Sequence, residues 1–465
     1  MVGWGVLQDS RHPHIPGTVN LGDNTVGSNG SSKEERWNSV EPKKRGEIVL
    51  NPQPSESPND PLNWSTTTKM AILLILALTA GVTVSLGPMI TTGSEDVATS
   101  FGVTTDQVSF NIVGIMQLTN WFCFISLSIM RAIQGFCASP LETLVSATVS
   151  EIFFVHEKGK MLSIWNLFVM GGVKLGQLIA GFIIQSLGFK FTFGICACIY
   201  AMIIPAMRVY EIILPDMKKS LSERVSIFNG RISDAGFWAL AAKPIPLVTF
   251  PAVIFSAFTY SFYAAGLTLI ALLQDTIFSA PPYNLSSSAI GLTNLPLFGV
   301  GIVGTLVSGY CADFVVQWMT RHNEGIYEPE FRLVLMFVAA SLSTVAYIGF
   351  GYSVAAGASI YVPVAFLGVQ TFAVPFATSS MFTYVMDCHN RLAPQAFVTM
   401  NFVKAVLSLI MSNFVNGWFQ ASGAKSVFTT VAIANLAVSG VAIPMYIFGK
   451  RLRGKVARSS FHQRF

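Results

Sequence analysis

Apolar runs long enough to cross a membrane follow one another along almost the whole chain after residue 69. A crossing helix needs about 20 mainly apolar residues. Runs of that length fall at 70–92, 107–129, 131–154, 161–186, 190–213, 244–273, 287–317, 331–351, 358–386, 396–419 and 426–449, which predicts eleven spans. A polar stretch at 214–243 divides them into five and six. Residues 1–68 are polar, rich in Gly, Ser, Asn and Pro, and hold no apolar stretch after a basic start. They read as a disordered tail, not a signal peptide. The domain plan is therefore a tail (1–68), an N-terminal helix bundle (69–213), a linker (214–243), a C-terminal six-helix bundle (244–449) and a basic tail (450–465).

Charge at the ends of the runs sets the orientation, because loops left in the cytosol are enriched in Lys and Arg. The loop 91–106 carries Glu95, Asp96 and Asp106 and no basic residue, and the loops 274–288 and 351–359 also lack Lys and Arg. These read as outside. The turn His156–Lys160, the linker, the loop Arg321–Arg332, the turn at Arg391 and the tail after Gly449 are basic and read as inside, which makes both termini cytosolic. Lys425 alone falls on the wrong side.

Composition supports this class. The chain is 52% hydrophobic and 11% charged, where a soluble domain carries about 25% charged residues. The net charge of +5 is modest and its basic residues cluster at the ends of apolar runs, which implies no nucleic-acid partner. All six cysteines lie in or beside apolar runs, and the pair Cys196 and Cys198 is CxC with no histidine close in sequence, so neither a disulfide nor a metal site is expected. There is no phosphate-binding G-x-x-x-x-G-K-[ST], no hydrolase elbow and no HExxH, so the chain does not read as an enzyme and calls for no cofactor.

One region breaks the pattern. Asp106 reads as outside and Lys158 as inside, so an odd number of crossings must join them. The apolar stretch between them, about 45 residues, suits two helices and is too short for three. "QLTNWFCFISLSIMRAIQGF" (Gln117–Phe136) offers no polar turn.

Several motifs resemble the major facilitator superfamily, in particular its fungal drug–proton antiporter branch. They are "DPLNWS" (Asp60–Ser65), "RAIQGFCASPLET" (Arg131–Thr143), "EIFFVHEKGK" (Glu151–Lys160), "GYCAD" (Gly309–Asp313) and "TRHNEGIYEPEFRL" (Thr320–Leu333). The resemblance runs from about Asp60 to the C-terminus. It implies an all-α polytopic membrane protein with two helix bundles, and GYCAD matches the family's G-x-L-a-D loop motif with Cys311 in place of Leu. The family has twelve spans and repeats that motif between spans 2 and 3. Here no Asp occurs between Asp106 and Asp216. Span 3 and the loop before it read as missing, which leaves the N-terminal bundle one helix short. The resemblance further implies a monomer in the plasma membrane, exporting a small, partly apolar molecule (a drug, secondary metabolite or polyamine) against protons. The alternative is a transport-deficient remnant or a membrane protein that binds a ligand without moving it.

Polar groups inside spans are costly and therefore informative. Arg131, Gln134 and Glu142 share one helical face, and the resemblance puts the Arg in a central cavity. Lys174 lies in "GGVKLGQLIAGF" with Gln177 one turn on, and Glu142 is its expected partner; Glu142 is also the best-placed proton carrier. In the second half Gln370, and Asn401 with Lys404 at i and i+3, are candidates for a substrate's polar groups. Tyr260, Phe262 and Tyr263 suit either an aromatic-walled pocket or plain packing. Gly309 and Asp313 are the gating candidates, with Asp313 expected to close its span. Asn284, in the sequon Asn284-Leu285-Ser286, is expected outside and open to glycosylation.

Overall fold

The structure, a computed structural model, describes residues 60–102, 155–188 and 245–458 except 390–391, with short pieces at 5–7, 17–20, 44–45, 48–49, 54–55, 148–149, 152–153 and parts of 191–202. "DPLNWS" forms the entry to the first span. The Asp60 carboxylate accepts from Leu62 N at 2.9 Å and starts a 3₁₀ turn, Pro61–Asn63. Ser65 Oγ then accepts from Thr68 N at 3.2 Å, satisfying an amide that the helix start leaves without a carbonyl.

The helices are α1 (Thr66–Met89), α2 (Ser94–Phe101), α3 (Val155–Leu187), α4 (Pro251–Ser279), α5 (Ser287–Leu292), α6 (Asn294–Arg321), α7 (Val334–Ala355), α8 (Tyr361–Cys388), α9 (Ala393–Gly440) and α10 (Ala442–Arg458). Seven stretches among the described residues are long and apolar enough to cross a membrane. The last, Ala393–Arg458, holds 66 residues, about 100 Å of helix and far more than one crossing. It breaks at Gly423, where φ is 72°. Only glycine takes that conformation without penalty, so the chain turns back there. Leu306, Phe314, Phe402 and Ile433 point outward and are exposed, as expected for side chains whose solvent is lipid.

Lipid is as apolar as these side chains, so helices associate through close packing at small residues. A Cβ at Gly172 of α3 would overlap the backbone of Gly81 in α1, and one at Gly176 would lie 2.6 Å from Ser85 Cβ. On its other face α3 meets the C-terminal half. There a Cβ at Gly171 would lie 2.9 Å from the Phe298 ring of α6, and one at Gly181 would lie 2.6 Å from Ser287 O of α5. α3 thus sits between α1 and the second half. One apolar core joins Ile72, Leu73 and Trp165 of the first half to Phe250, Met381 and Tyr384 of the second. Another, around Leu273, Tyr347 and Phe428, lies within the second half.

The helix ends define two faces. The loop after α6, the start of α7, the end of α8 and the end of α10 share a face rich in Arg and Lys, called here the basic face. The opposite face carries α2, the end of α3 and the α4–α5 loop. Lys425 is on that opposite face, with its ammonium 4.7 Å from the centre of the Tyr352 ring, a cation–π contact that helps hold a lysine where basic residues are rare.

Three expectations change. Asp313 does not close its span, because α6 continues two turns further to Arg321. The last helix runs on to Arg458, beyond the expected end at 449, because Lys450 and Arg453 are drawn into ion pairs. The reading of 1–68 as a disordered tail fails for two of its pieces. Residues 5–7 and 17–20 pack on the basic face, where strand β1 (Val19–Asn20) pairs with strand β2 (Ile326–Tyr327). A two-residue strand leaves no compositional trace. The stretch 103–147, with the expected missing span, lies outside the described residues.

Candidate functional site

Lys174 and Gln177 lie one turn apart on the face of α3 that meets the second half. Lys174 is 8% exposed, and its Nζ donates to Asn294 Oδ1 of α6 at 3.4 Å. Gln177 Nε2 donates to Thr91 Oγ1 at 3.5 Å, and its main-chain carbonyl accepts from Thr92 Oγ1 at 3.5 Å. All three are long for hydrogen bonds. A cavity of about 30 Å³ lies beside them, lined by Gly171, Lys174, Gln177, Phe298, Gly301 and Thr371. That is room for about one or two waters. Helices from both halves, α3, α4, α6 and α8, therefore converge on this narrow cavity, where Lys174, Gln177 and Thr371 are the polar groups of an otherwise apolar lining. Glu142, the expected partner of Lys174, lies outside the described residues, as do Arg131 and Gln134.

The second half has its own polar thread. Gln370 Nε2 of α8 donates to Tyr347 Oη of α7 at 3.0 Å. Gly266 of α4 lies directly under that hydroxyl, where a Cβ would overlap it. Gln370 Oε1 and Asn401 Oδ1 are buried with no hydrogen-bond partner among the described residues. Lys404 Nζ sits 5.9 Å over the Tyr260 ring, and Tyr260 meets Phe382 edge-on at 4.9 Å. Tyr263 is fully buried and bonds Ser439 at 3.1 Å and Asn435 at 3.5 Å. It packs α4 against α9 and does not wall a pocket.

Towards the basic face the halves close again. Trp165 of α3 packs edge-on against Phe382 of α8 at 6.0 Å. Beside it lies a second cavity of about 30 Å³, lined by Trp165, Asn166, Gly309, Asp313, Arg332 and Thr383. The two gating candidates, Gly309 and Asp313, thus meet α3 across the boundary between the halves. Trp165 Nε1 and Asn166 Nδ2 are buried donors without a partner among the described residues. Arg332 Nε binds Asp387 Oδ2 at 2.5 Å, and Tyr327 donates to the same oxygen. Burial is the largest cause holding the Tyr327 phenol well above its ordinary range.

Behind that pair lies a fully buried acidic pair. Glu328 accepts from Lys450 Nζ and, at 3.1 Å, from Arg453 Nη2. Glu330 accepts from Arg453 Nε at 3.0 Å and Nη2 at 2.7 Å. None of these four residues stands out by periodicity. The signal that could have found them is the acidic "YEPE" set against an acid-free "KRLRGK". The opposite face holds a cavity of about 500 Å³, also unforeseen, lined among others by Thr99, Gln185, Asp275, Ser279 and Ser287. Asn284 is exposed in the loop beside it.

The Major Facilitator Superfamily profile matches residues 62–412. Protein HOL1 of Saccharomyces cerevisiae is 22% identical over 568 aligned positions, covering 95% of this chain and 96% of its own. A probable efflux pump, mfs2, of Aspergillus flavus is 20% identical, covering 70% of this chain and 81% of its own. Among solved structures, a D-xylose-proton symporter superposes with a TM-score of 0.54 at 13% identity, covering 80% of this chain and 97% of that one. At that identity the likeness is one of fold.

Proposed function

The chain belongs to the Major Facilitator Superfamily, as a multi-pass membrane transporter of small molecules, and from that premise we propose that it works as a monomer exporting a small, partly apolar molecule against protons. The observation that carries this reading is the convergence of α3, α4, α6 and α8 on the narrow cavity at Lys174 and Gln177. Polar groups between the halves, closed off towards the basic face by Trp165 and Phe382, suit a substrate site between two rocking halves. Export fits the efflux pump among the relatives. Proton coupling fits a carboxylate facing this site, the role assigned to Glu142. The basic face is the cytosolic one by the charge rule, and the plasma membrane is the proposed location.

A second reading, a transport-deficient form, is favoured by one observation. The alignment with HOL1 spans 568 positions although this chain has 465 residues, so more than a hundred positions of that relative have no counterpart here. This fits a first bundle lacking span 3. The test compares this chain with a form extended after Asn120 by about 40–50 residues, a G-x-L-a-D loop and one apolar span. Efflux of a panel of drugs, metabolites and polyamines is measured at matched expression, with and without a pH gradient. The extended form should export and this chain should export poorly. Equal, proton-dependent efflux by both would remove the second reading, and none by either would remove the first.

A further inference from the structure

We propose that the amino-terminal segment is a strap on the basic face, latched by Thr18 onto Glu328, and that a negative charge placed on Thr18 releases it. Val19 and Asn20 pair antiparallel with Tyr327 and Ile326, adding a strand to the loop between α6 and α7. Thr18 Oγ1 donates to Glu328 Oε2 at 2.8 Å. Further back, Leu7 N donates to Ile447 O of α10 at 3.0 Å. Val6 is 4% exposed and packs with Met319, Tyr327 and Phe331. Main-chain pairing, an apolar plug and a charge-assisted bond thus act at three separate places, a mode by which extended peptides dock on folded domains.

The fit is close at Gly17, whose φ is +88°; a Cβ there would lie 2.5 Å from Asp387 O, 2.9 Å from Pro329 Cγ and 3.1 Å from Arg453 Nη1. The strap therefore lies over Asp387, the residue that holds Arg332 in the gate cavity. Charge makes Thr18 the sensitive point. Its neighbour Glu328 is 0% exposed, and the acids Glu328 and Glu330 are already matched by Lys450 and Arg453. A hydroxyl there donates to a carboxylate. An anion in its place would face that carboxylate, whose cations Lys450 and Arg453 are already engaged by Glu328 and Glu330, and could leave only by peeling the segment off. Phosphorylation of the Thr18 hydroxyl is the modification with this chemistry: the oxygen replaces a leaving group on a nucleoside triphosphate's terminal phosphorus, and its proton passes to solvent. The inference goes beyond transport and rests on that reading only for the gate's role.

The experiment uses the full chain in lipid nanodiscs and needs no transport. In one series, Asn20→Cys with Ile326→Cys is oxidised mildly and disulfide formation is timed against each single-cysteine control. In another, alkylation of Cys388 by a maleimide is timed; Cys388 is 1% exposed, next to Asp387 beneath the strap. The expected result is trapping in the otherwise native chain. T18E should slow trapping, and speed Cys388 alkylation, by about tenfold or more, with T18V intermediate. G17V, which carries no charge but blocks the close approach, should match T18E and show that loss of docking, not charge itself, is read out. No trapping above the controls in the native background would overturn the strap. Unchanged or faster trapping in T18E, as if Lys450 and Arg453 had captured the new charge, would overturn the latch. A chain that docks its strap but moves no substrate would leave this inference standing and sink the transport reading instead.

Discussion

Arg453 serves both buried acids of the basic face through one guanidinium. Removing it takes from Glu330 the cation it binds and leaves Glu328 to Lys450 and Thr18, and breaking a buried pair from one side costs about 3–5 kcal/mol. Arg453→Met should therefore lower the thermal midpoint of the purified protein steeply. Arg453→Met with Glu330→Gln should recover much of the loss, which unfolding in a graded denaturant series checks. Lys174 invites a similar cycle. Its described partner, Asn294, is a neutral amide, which leaves the ammonium without a matching charge there. If Glu142 supplies it, Lys174→Met should damage efflux or stability more than Lys174→Met with Glu142→Gln. Simple additivity would break that pairing and leave Asn294 as the functional contact. Lys174 and Gln177 are legible in sequence because a polar group in an apolar run stands out against its surroundings. Trp165, Asn166 and Arg332 are not, since a tryptophan, an amide and an arginine at the mouth of a span look like ordinary interface residues. Their role arises only when α3 meets α6 and α8 in space.

Helices and their order are largely legible because span length is fixed by the bilayer and not by the protein's own core. The starts and stops are less so. The pattern separates the last two spans between residues 419 and 426, and the structure turns at Gly423 inside that gap. Nothing lies within 4 Å of a Cβ built there, so Gly423→Ala tests backbone conformation alone. Forcing a Cβ into this positive-φ, extended-ψ conformation costs about 1–3 kcal/mol, and the variant should lose that much stability while keeping its fold. A larger loss would mean that the turn has unmade the packing of α9 on α4. The extension of α10 is illegible to hydropathy, because basic residues normally end a span. They continue this one because Glu328 and Glu330, more than 120 residues earlier, neutralise them. The amino-terminal strap is hidden for a like reason: its partners are distant and its bonds are main-chain.

For the whole molecule, orientation is the property that length and charge together predict, and it has a direct check. Asn284 is exposed on the face opposite the basic one. Asn284→Cys should react with an impermeant thiol reagent applied to intact cells, and reaction only after permeabilisation would invert the topology. The architecture also carries a mechanical consequence. From Ala424 to Arg458 the chain is helical save for one residue, Val441, which keeps helical backbone angles. That is about 52 Å of rod, against about 30 Å of hydrocarbon. Some 20 Å of beam therefore stands clear of the bilayer, bolted to the loop before α7 through Lys450 and Arg453. A beam of that length is a pointer: tilting its half by ten degrees sweeps the tip through about 9 Å. A spin label near Arg458 would register a rocking motion that at the membrane's centre amounts to little more than the width of a side chain.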